Sequence, residues 1–366
     1  MTNTTELWVN RDQLRETKIV TGSPPQLNDG EVLVAMDKFG LTANNVSYAL
    51  TGDMIGYWNY YPAEAPWGKV TVWGCADVVE SNDSDIPIGE RLWGFFPMAS
   101  HVVLRPGKIR KDGFTDISEH RKALPALYNQ YNRTKAEPAF MTELENERCL
   151  LFPLFATSFF LADYLLVNDF FGAEQVLIGS SSSKTGFGLA KMLADNPEVK
   201  QKLVGLTSQR NAAFVESLKC CDSVITYGSE TAIDAGLKSA YIDMSGDVRL
   251  TTALHQHIGD NVVESAMVGA SHWEDGGKIG KLPGAKPTFF FAPGHIAMRE
   301  KEWGAGVPWQ KAMAASAEVA RTMEGTMDVE WSHGAEAVND VWQRLLDNKV
   351  APSTGIMASL LQPAGQ

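Results

Sequence analysis

A serine-rich loop between a short apolar run and an amphipathic segment is well suited to bind a phosphate group. Residues 175–190 read QVLIGSSSSKTGFGLA, which predicts a strand, a loop of small residues and a helix. The first turn of a helix carries unpaired backbone N–H groups and a partial positive charge, and both favour a diphosphate. We therefore expect a bound nucleotide to contact Ser180, Ser181, Ser182, Ser183, Lys184, Thr185 and Gly186.

The spacing within this loop leaves other interpretations open. A dinucleotide-binding G-x-G-x-x-G pattern is absent, and Ser183 stands where a P-loop would have glycine before Lys184 and Thr185. A nucleotide-hydrolysing protein of the P-loop class is therefore the less favoured alternative. A flexible serine loop without a ligand is the simplest one.

The residues after the next predicted strand, 203–206, distinguish between the nicotinamide cofactors. Enzymes that use NAD usually place an acidic side chain there to bind the ribose hydroxyls. Residues 207–211 read TSQRN and contain no carboxylate. A hydroxyl and a guanidinium can instead bind a 2′-phosphate, so we predict NADPH, with contacts from Ser208, Arg210, Asn211 and Tyr227. The alternative is that Arg210 is only a solvated residue at a helix start.

Alternating strands and helices from residue 175 onwards predict a doubly wound parallel sheet. The predicted strands are 176–178, 203–206, 223–226, 240–243, 262–268 and 288–292. In such sheets the carboxyl ends of the strands face the ligand. Gly269 and Ala292, at the ends of the fifth and sixth strands, are therefore expected to contact the nicotinamide.

The first third of the chain reads differently, as a β-rich domain. Short apolar runs at 31–36, 70–73, 91–96 and 101–104 alternate with turn residues, which suggests a small barrel or sandwich. The polar segment 111–147 predicts helices and an insertion between domains. The final segment, 312–346, is predicted to be helical and to pack back on the first domain.

Net charge, apolar runs and cysteine content indicate which binding partners and which cellular compartment to expect. The 366 residues carry a formal net charge of −12, which disfavours a nucleic-acid partner. The first residues contain no secretory signal, and no run reaches the ~18 apolar residues of a membrane span. Four cysteines without a C-x-x-C pair favour the cytoplasm and argue against a structural zinc lobe.

Taken in order, several short motifs resemble the medium-chain dehydrogenase/reductase superfamily, and most closely its zinc-free, quinone-oxidoreductase-like branch. The motifs are GEVLV (30–34), GLTANN (40–45), IGERL (88–92), LFATS (154–158) and GAEQVLI (172–178). The resemblance implies a GroES-like catalytic domain over 1–150 and 300–366 and a Rossmann NADP-binding domain over 151–299. It also implies chemistry in the cleft between them and a homodimer.

Departures from the family pattern concern the metal and the loop. The zinc enzymes have a cysteine where this chain has Thr42, and WGCA (73–76) replaces the Gly-His-Glu of the next ligand region. His255 and His257 are two residues apart and would diverge on a helix. We therefore expect no catalytic metal. The phosphate loop is longer than is usual for the family, and Lys184 within it is unexpected.

Without zinc, a hydroxyl group or an ordered water must stabilise or protonate the oxyanion that forms during hydride transfer. Tyr57 lies where related enoyl reductases carry a donor tyrosine, and Asn45 and Tyr128 are further candidates, with Asn44, Tyr48 and Tyr131 as alternatives. Each of these side chains can equally be an ordinary packing residue.

The prediction is an NADPH-dependent reductase that acts on an activated C=C or C=O bond of a small apolar enone, quinone or ketone. The hydride would pass directly, and a protein hydroxyl or water would supply the proton. An NADPH-binding sensor or structural protein without turnover is the alternative of a different class.

Overall fold

The computed structural model describes residues 3–268 and 280–361 and forms two compact units. The first unit comprises Met1–Leu150 and Gly325–Gln366, and the second comprises Leu151–Glu324. Within the described residues, no helix is long and apolar enough to span a membrane.

The strands and helices of the described residues are numbered here in chain order. The strands are β1 (Thr4–Asn10), β2 (Thr17–Gly22), β3 (Val32–Leu41), β4 (Trp67–Gly68), β5 (Thr71–Ser81), β6 (Arg91–Pro97), β7 (His101–Leu104), β8 (Pro106–Gly107), β9 (Gly113–Asp116), β10 (Gln130–Arg133), β11 (Gln175–Gly179), β12 (Lys202–Thr207), β13 (Ser223–Thr226), β14 (Ser239–Asp243), β15 (Val262–Met267), β16 (Thr288–Phe289), β17 (Asp328–His333) and β18 (Thr354–Ser359). The helices are α1 (Ala43–Leu50), α2 (Gly52–Ile55), α3 (Ala139–Glu143), α4 (Glu145–Leu150), α5 (Phe152–Val167), α6 (Lys184–Ala194), α7 (Ala212–Ser217), α8 (Val248–Ile258), α9 (Ala292–Trp303), α10 (Val307–Thr322) and α11 (Ala335–Leu346).

The first unit is built around a nine-stranded sheet. The strands follow the order β17-β18-β3-β5-β6-β10-β9-β8, and β7 also pairs with β3. All of these pairs are antiparallel except β17 with β18. Strands β1, β2 and β4 form a second, three-stranded sheet. The predicted β-rich domain is thus present.

The segment 111–147, predicted as a helical insertion, contributes two strands to this sheet instead. β10 pairs with β6 on one side and with β9 on the other. The aromatic rings of Phe114 and Tyr131 stack on each other between these strands and are fully buried. Burial of these two rings joins the segment to the core of the first unit, and only α3 and α4 near its end are α-helical.

The second unit is a six-stranded parallel sheet in the order β13-β12-β11-β14-β15-β16. Numbered from β11, this is the order 3-2-1-4-5-6 of doubly wound dinucleotide-binding sheets. Two apolar clusters are built on its strands; one also includes residues of α5 and α6, and the other includes residues of α8. The predicted fold class is confirmed. The order reverses between β11 and β14, which is where ligands bind in such sheets.

The sequence predicted that the chain returns to the first domain at residue 300. In the structure it returns later, after Glu324. Helix α10 packs on α5, and α9 is fixed to α5 by a buried ionic group. The carboxylate of Asp163 accepts a hydrogen bond from His295 (2.6 Å) and two from Arg299 (2.6 Å each). Both helices therefore belong to the second unit, and only α11 of the predicted final helical segment belongs to the first.

Candidate functional site

The serine loop begins with a residue in an uncommon backbone conformation. Ser180 follows β11 with a φ of 53°, in the left-handed region that residues other than glycine adopt only rarely. Its carbonyl oxygen lies against Gly186 in the first turn of α6, and a Cβ atom on Gly186 would overlap this oxygen. The turn from strand to helix is therefore tight, and glycine is required within it.

Ser183 is the N-cap of α6. Its Oγ accepts a hydrogen bond from the N–H of Gly186 (3.1 Å) and donates one to the carbonyl oxygen of Ser180 (2.7 Å). The cap satisfies one of the N–H groups that the start of a helix leaves unpaired and is worth about 1 kcal/mol. Ser183 thus has a structural role beside its predicted contact with a nucleotide.

Ser181 and Ser182 tie the loop to the end of β12. The N–H and the Oγ of Ser181 both donate to the carbonyl oxygen of Leu206, at 2.9 and 3.0 Å. The Oγ of Ser182 accepts from Thr207 Oγ1 (3.0 Å) and from Asn211 Nδ2 (3.2 Å). Both serines are buried. These bonds hold the loop in one conformation, unlike the flexible loop that the sequence left open.

Two backbone N–H groups at this turn have no acceptor in the described part of the chain, those of Ser182 and Thr185. Thr185 lies in the first turn of α6, which is 11 residues long. Unpaired N–H groups at the start of a helix, together with its dipole, form a binding site for an anion. The loop is therefore suited to a diphosphate through its backbone, while its serine hydroxyls mainly hold the loop together.

Ser208 lies at the end of β12 with a buried hydroxyl group. Its Oγ has no hydrogen-bond partner among the described residues, and a buried polar atom of this kind normally has one. Arg210, two residues on, is exposed. The two side chains that the sequence assigned to a 2′-phosphate are therefore placed at one strand end, and the hydroxyl lacks the partner that a phosphate oxygen would provide. Asn211 instead donates to Ser182.

Tyr227 follows β13 and supports the loop from the neighbouring strand. Its N–H donates to the carbonyl oxygen of Thr207 (2.9 Å), and its hydroxyl oxygen accepts the N–H of Ser180 (3.1 Å). Burial, and then the nearby carboxyl of Asp243, raise the pKa of this phenol. The hydroxyl therefore stays protonated at neutral pH.

Lys184 is the first residue of α6 and is half-buried. Burial lowers the pKa of its amine to about 8, because a less polar environment disfavours the ammonium form. A nearby phosphate would restore the preference for the charged form. Its charge and the binding of an anion at this loop are therefore expected to depend on each other.

Asp243 is a residue of this region that the sequence analysis missed. It ends β14, directly across from Gly179 at the end of β11, where the strand order reverses. Its Oδ1 accepts hydrogen bonds from the N–H (2.7 Å) and the Oγ (2.6 Å) of Ser245. Burial raises the pKa of this carboxyl. A buried polar residue at a strand end beside the serine loop was the signal that could have identified it.

The two predicted nicotinamide contacts have different outcomes. Gly269 lies outside the described residues. Ala292 is the first residue of α9, and it follows β16 at the edge of the sheet. The predicted strand over 288–292 is only two residues long, because the chain turns into this helix. Ala292 therefore follows the end of the sixth strand, and its contact with the nicotinamide stays a prediction.

Two of the predicted catalytic residues contact each other in the first unit. Tyr57 and Tyr128 lie in separate 3-10 helices, Tyr57–Asn59 and Ala126–Asn129, and their hydroxyl oxygens are 2.9 Å apart. Tyr57 is buried and Tyr128 is half-buried. Burial raises the pKa of both phenols. A pair of protonated, mutually hydrogen-bonded phenols can donate a proton at neutral pH.

The pair is surrounded by further aromatic rings. The ring of Tyr57 lies 4.6 Å from that of Tyr48, and the ring of Tyr128 lies 4.7 Å from that of Phe95. Tyr48 accepts a hydrogen bond from the indole N–H of Trp73 (3.2 Å). These contacts fix the orientation of the two hydroxyl groups.

Asn45, the third predicted catalytic residue, has a structural role. It forms a capping box at the start of α1: its Oδ1 accepts the N–H of Thr42 (2.8 Å). Its Nδ2 donates to the carbonyl oxygen of Thr71 (2.9 Å), and the side chain is buried. Because the side-chain oxygen and nitrogen of Asn45 both bond to backbone groups, we assign this residue a structural role. The tyrosine alternative Tyr131 is also buried and bonded to the carbonyl oxygen of Phe95.

Among residues 3–268 and 280–361, no group of three or more His, Cys, Asp or Glu side chains is arranged to hold a metal ion. The two histidines considered as ligands serve the fold of the second unit. His255 contacts the carbonyl oxygen of Pro283 (2.9 Å) and Ser265 Oγ (3.0 Å), and His257 contacts the carbonyl oxygen of Ile233 (2.9 Å).

Comparison with solved structures shows which known proteins share this fold. CurA from Vibrio vulnificus is 12% identical, with a TM-score of 0.60 and coverage of 99% of this chain and 100% of CurA. Its complex with NADPH gives 11% identity, a TM-score of 0.59, and coverage of 98% and 100%. The yhdH oxidoreductase from Salmonella enterica, solved with NADP, is 13% identical, with a TM-score of 0.54 and coverage of 98% of this chain and 100% of the oxidoreductase. The quinone oxidoreductase from Coxiella burnetii is 12% identical, with a TM-score of 0.52 and coverage of 98% of this chain and 100% of the quinone oxidoreductase.

These similarities show that the chain shares the fold of these oxidoreductases. The comparison with curated proteins found no match. A family described as "Protein of unknown function (DUF2855)" matches residues 39–351. Since this match spans most of the 366 residues, the chain belongs to the DUF2855 family.

Proposed function

We propose that this protein is an NADPH-dependent oxidoreductase that reduces an activated C=C or C=O bond. The observation that carries the proposal is the position of the serine loop. It lies at the reversal point of a 3-2-1-4-5-6 parallel sheet, and the N–H groups of Ser182 and Thr185 have no acceptor among the described residues. This is where dinucleotides bind in sheets of this topology.

Support for the cofactor comes from the end of β12 and from the structural relatives. The unpartnered hydroxyl of Ser208 and the guanidinium of Arg210 suit the 2′-phosphate that distinguishes NADPH from NADH. CurA and the yhdH oxidoreductase share the fold and were solved with NADPH and NADP. In our proposal, the diphosphate binds at the start of α6 and the 2′-phosphate binds at Ser208 and Arg210.

When bound, NADPH supplies the hydride. The chain orients the nicotinamide, for which Gly269 and Ala292 remain the proposed contacts, and delivers a proton to the atom that becomes negatively charged. Tyr57 and Tyr128 are the proposed donors because their hydroxyls bond to each other and burial keeps them protonated. Tyr128, the less buried of the two, is placed next to the substrate, and Tyr57 holds its hydroxyl in position.

The donor pair supports the proposed substrate class. A phenol that is protonated at neutral pH can give its proton to a developing enolate or alkoxide, the intermediates formed when an enone, quinone or ketone accepts a hydride. The surrounding rings of Tyr48 and Phe95 suit a small apolar substrate. We propose that zinc is not needed, since Thr42, which replaces a cysteine ligand of the zinc enzymes, instead caps helix α1.

Calorimetric titration with NADPH, NADH and ATP at one salt concentration tests the cofactor assignment. We expect tighter binding of NADPH than of NADH, and none of ATP. Arg210→Ala should weaken NADPH binding about 10- to 100-fold, the value of a charge-assisted hydrogen bond to phosphate, and leave NADH binding unchanged. Arg105→Ala, an exposed arginine of the first unit, is the matched control and should change neither.

Equal affinities for NADPH and NADH would contradict the 2′-phosphate site, and binding of ATP with Mg²⁺ would favour the P-loop alternative. Turnover is tested separately by following NADPH oxidation at 340 nm with a panel of enones, quinones and ketones. Binding of NADPH without oxidation by any of them would favour the sensor alternative.

A further inference from the structure

Two adjacent cysteines lie behind the serine loop, in the connection between α7 and β13. Lys219 ends the helical segment with a φ of 52° and directs the chain back towards the sheet. Cys220 is then buried in the apolar cluster that includes Leu203 and Leu193, and Cys221 is half-buried at the edge of the same cluster. Both thiols are free.

Cys221 and the serine loop meet at Gly205 in the middle of β12. A Cβ atom on Gly205 would lie 3.0 Å from Cys221 Sγ and 3.0 Å from Ser181 Oγ. The thiol and the loop hydroxyl thus share the small space that glycine leaves above the strand. A group added to Cys221 Sγ that extends towards the strand would displace one of these neighbours.

Ser181 has no freedom to yield without disturbing the loop. It is fully buried, and its N–H and Oγ both donate to the carbonyl oxygen of Leu206. The next residue, Ser182, carries one of the unpaired N–H groups assigned to the diphosphate. A displacement of Ser181 would therefore change the geometry of the proposed nucleotide site directly.

We infer that the Cys220–Cys221 pair is a thiol-modification site, and that a mixed disulfide on Cys221 with a low-molecular-weight disulfide weakens nucleotide binding at the serine loop. This inference rests on the proposed function, because it names a control on the same nucleotide site. Of the two sulfurs, Cys221 takes the adduct because it is the more exposed.

The reaction is a thiol–disulfide exchange. The protein thiolate attacks one sulfur of the small disulfide, a new S–S bond forms at Cys221, and the S–S bond of the reagent breaks. The other half of the reagent leaves as its thiolate, and the thiol proton passes to the solvent. An excess of a free thiol reverses the exchange, so no net oxidation is needed beyond the disulfide that is consumed.

The two thiols affect each other in opposite directions: the hydrogen bond with Cys220 and burial raise the pKa of the Cys221 thiol. A hydrogen bond with Cys221 and the charge of Lys191 lower the pKa of the Cys220 thiol against the opposing effect of burial. In such a pair the first proton is lost from the two groups as a unit. Transfer of the Cys221 proton to the Cys220 thiolate then leaves the negative charge on Cys221 Sγ.

The test uses the aromatic disulfide 5,5′-dithiobis(2-nitrobenzoate) on the folded full-length protein. Peptide mass mapping identifies the modified cysteine, and calorimetry measures NADPH binding before modification, after it, and after reversal by dithiothreitol. We expect modification at Cys221, at least a tenfold rise in the Kd for NADPH, and full recovery on reversal. Because the coupling is reciprocal, bound NADPH should also slow the modification.

Cys221→Ser and Cys220→Ser are the two controls. Cys221→Ser should bind NADPH as the wild type does and should keep this affinity in the presence of the reagent. Cys220→Ser should still be modified at Cys221, more slowly, with the same loss of affinity. Circular dichroism before and after treatment shows whether the fold is retained.

Each failure has a separate meaning. A protein that is modified at Cys221 yet binds NADPH unchanged overturns this inference and leaves the proposed function intact. Failure of the reagent to reach Cys221, or the same loss of affinity in Cys221→Ser, also overturns it. If the untreated wild type does not bind NADPH at all, both the inference and the proposed function are wrong.

Discussion

The serine loop of the second unit and the tyrosine pair of the first unit are built in opposite ways. The loop is a continuous stretch in which the side chains bond to the protein, while backbone N–H groups at Ser182 and Thr185 are left for a ligand. The pair joins Tyr57 and Tyr128, which are 71 residues apart, and its side chains form the candidate reactive group. The comparison teaches that the loop should tolerate little change in backbone geometry, whereas the pair should be sensitive to loss of a single atom.

The largest effect is expected from a substitution that deforms the loop. Gly186→Val places a branched side chain where even a Cβ atom would overlap the carbonyl oxygen of Ser180 and lie 2.9 Å from the Cα of Ser181. We expect NADPH binding to be lost, with a fall of about 2–4 kcal/mol in the free energy of unfolding. Calorimetry and urea denaturation measure the two effects.

Gly280→Ala is the matched control for this variant, because a Cβ atom there meets no atom of residues 3–268 and 280–361 within 4 Å. It should leave both quantities unchanged. A Gly186→Val protein that retains wild-type affinity for NADPH would show that the loop is not the nucleotide site.

The second-largest effect is expected from removing one hydroxyl of the pair. Tyr128→Phe and Tyr57→Phe should each lower kcat about 10²-fold or more, the usual contribution of a positioned proton donor, and leave the Kd for NADPH unchanged. Steady-state kinetics with a substrate found in the panel measures this. Tyr60→Phe is the control, since the Tyr60 hydroxyl donates instead to the carbonyl oxygen of Pro125 (2.9 Å). Unaltered kcat in both pair variants would remove the tyrosines from the mechanism.

A smaller effect should follow from deletion of the Ser208 hydroxyl, since its oxygen has no hydrogen-bond partner in the part of the chain that the structure describes. Ser208→Ala should weaken NADPH binding about tenfold, the value of one hydrogen bond to a charged group, without a change in NADH binding. Thermal stability should be the same or slightly higher, because a buried hydroxyl without a partner is removed. A parallel loss of NADH affinity would contradict a contact with the 2′-phosphate.

The effect that is smallest at neutral pH concerns the titration of Lys184. Burial lowers the pKa of Lys184 to about 8 in the free protein, and a bound phosphate should raise it. Binding of NADPH then takes up a proton above pH 8, so the affinity should fall by up to about tenfold per pH unit between the free and the bound pKa. Calorimetry from pH 7 to 10 measures this.

Lys184→Met is the variant that isolates this effect, and it should give a flat profile over the same range. The same pKa shift predicts that the protein gains stability as the pH rises from about 8 towards the ordinary lysine value of 10.5, because the unfolded chain still holds the proton there. A stability curve that falls over this interval would contradict burial of the Lys184 ammonium group.

The second unit was the more predictable from sequence because its signals are local. Apolar runs flanked by turn residues identified its strands, and the helix after Ser183 followed from periodicity. The strand predicted over 288–292 was too long, because Phe290–Ala292 turn into α9 rather than extend the sheet edge. The roles of Ser181 and Ser182 within the loop depend on β12 and could not be read from their own segment.

The errors arose where distant residues decide the structure. Strands β9 and β10 are four residues each, too short to show alternation, and burial of Tyr131 against Phe114 fixes them. Helix α9 belongs to the second unit because Asp163 binds His295 and Arg299 over more than 130 residues of chain. The contact between Tyr57 and Tyr128 likewise has no local signature, although each tyrosine was identified separately.

A crystal structure of the protein with NADPH tests the central claim most directly. We predict that diphosphate oxygens lie about 2.7–3.2 Å from the backbone nitrogens of Ser182 and Thr185, with the 2′-phosphate against Ser208 and Arg210. A diphosphate bound elsewhere in the molecule, or a serine loop left without it in the presence of saturating NADPH, would contradict the account.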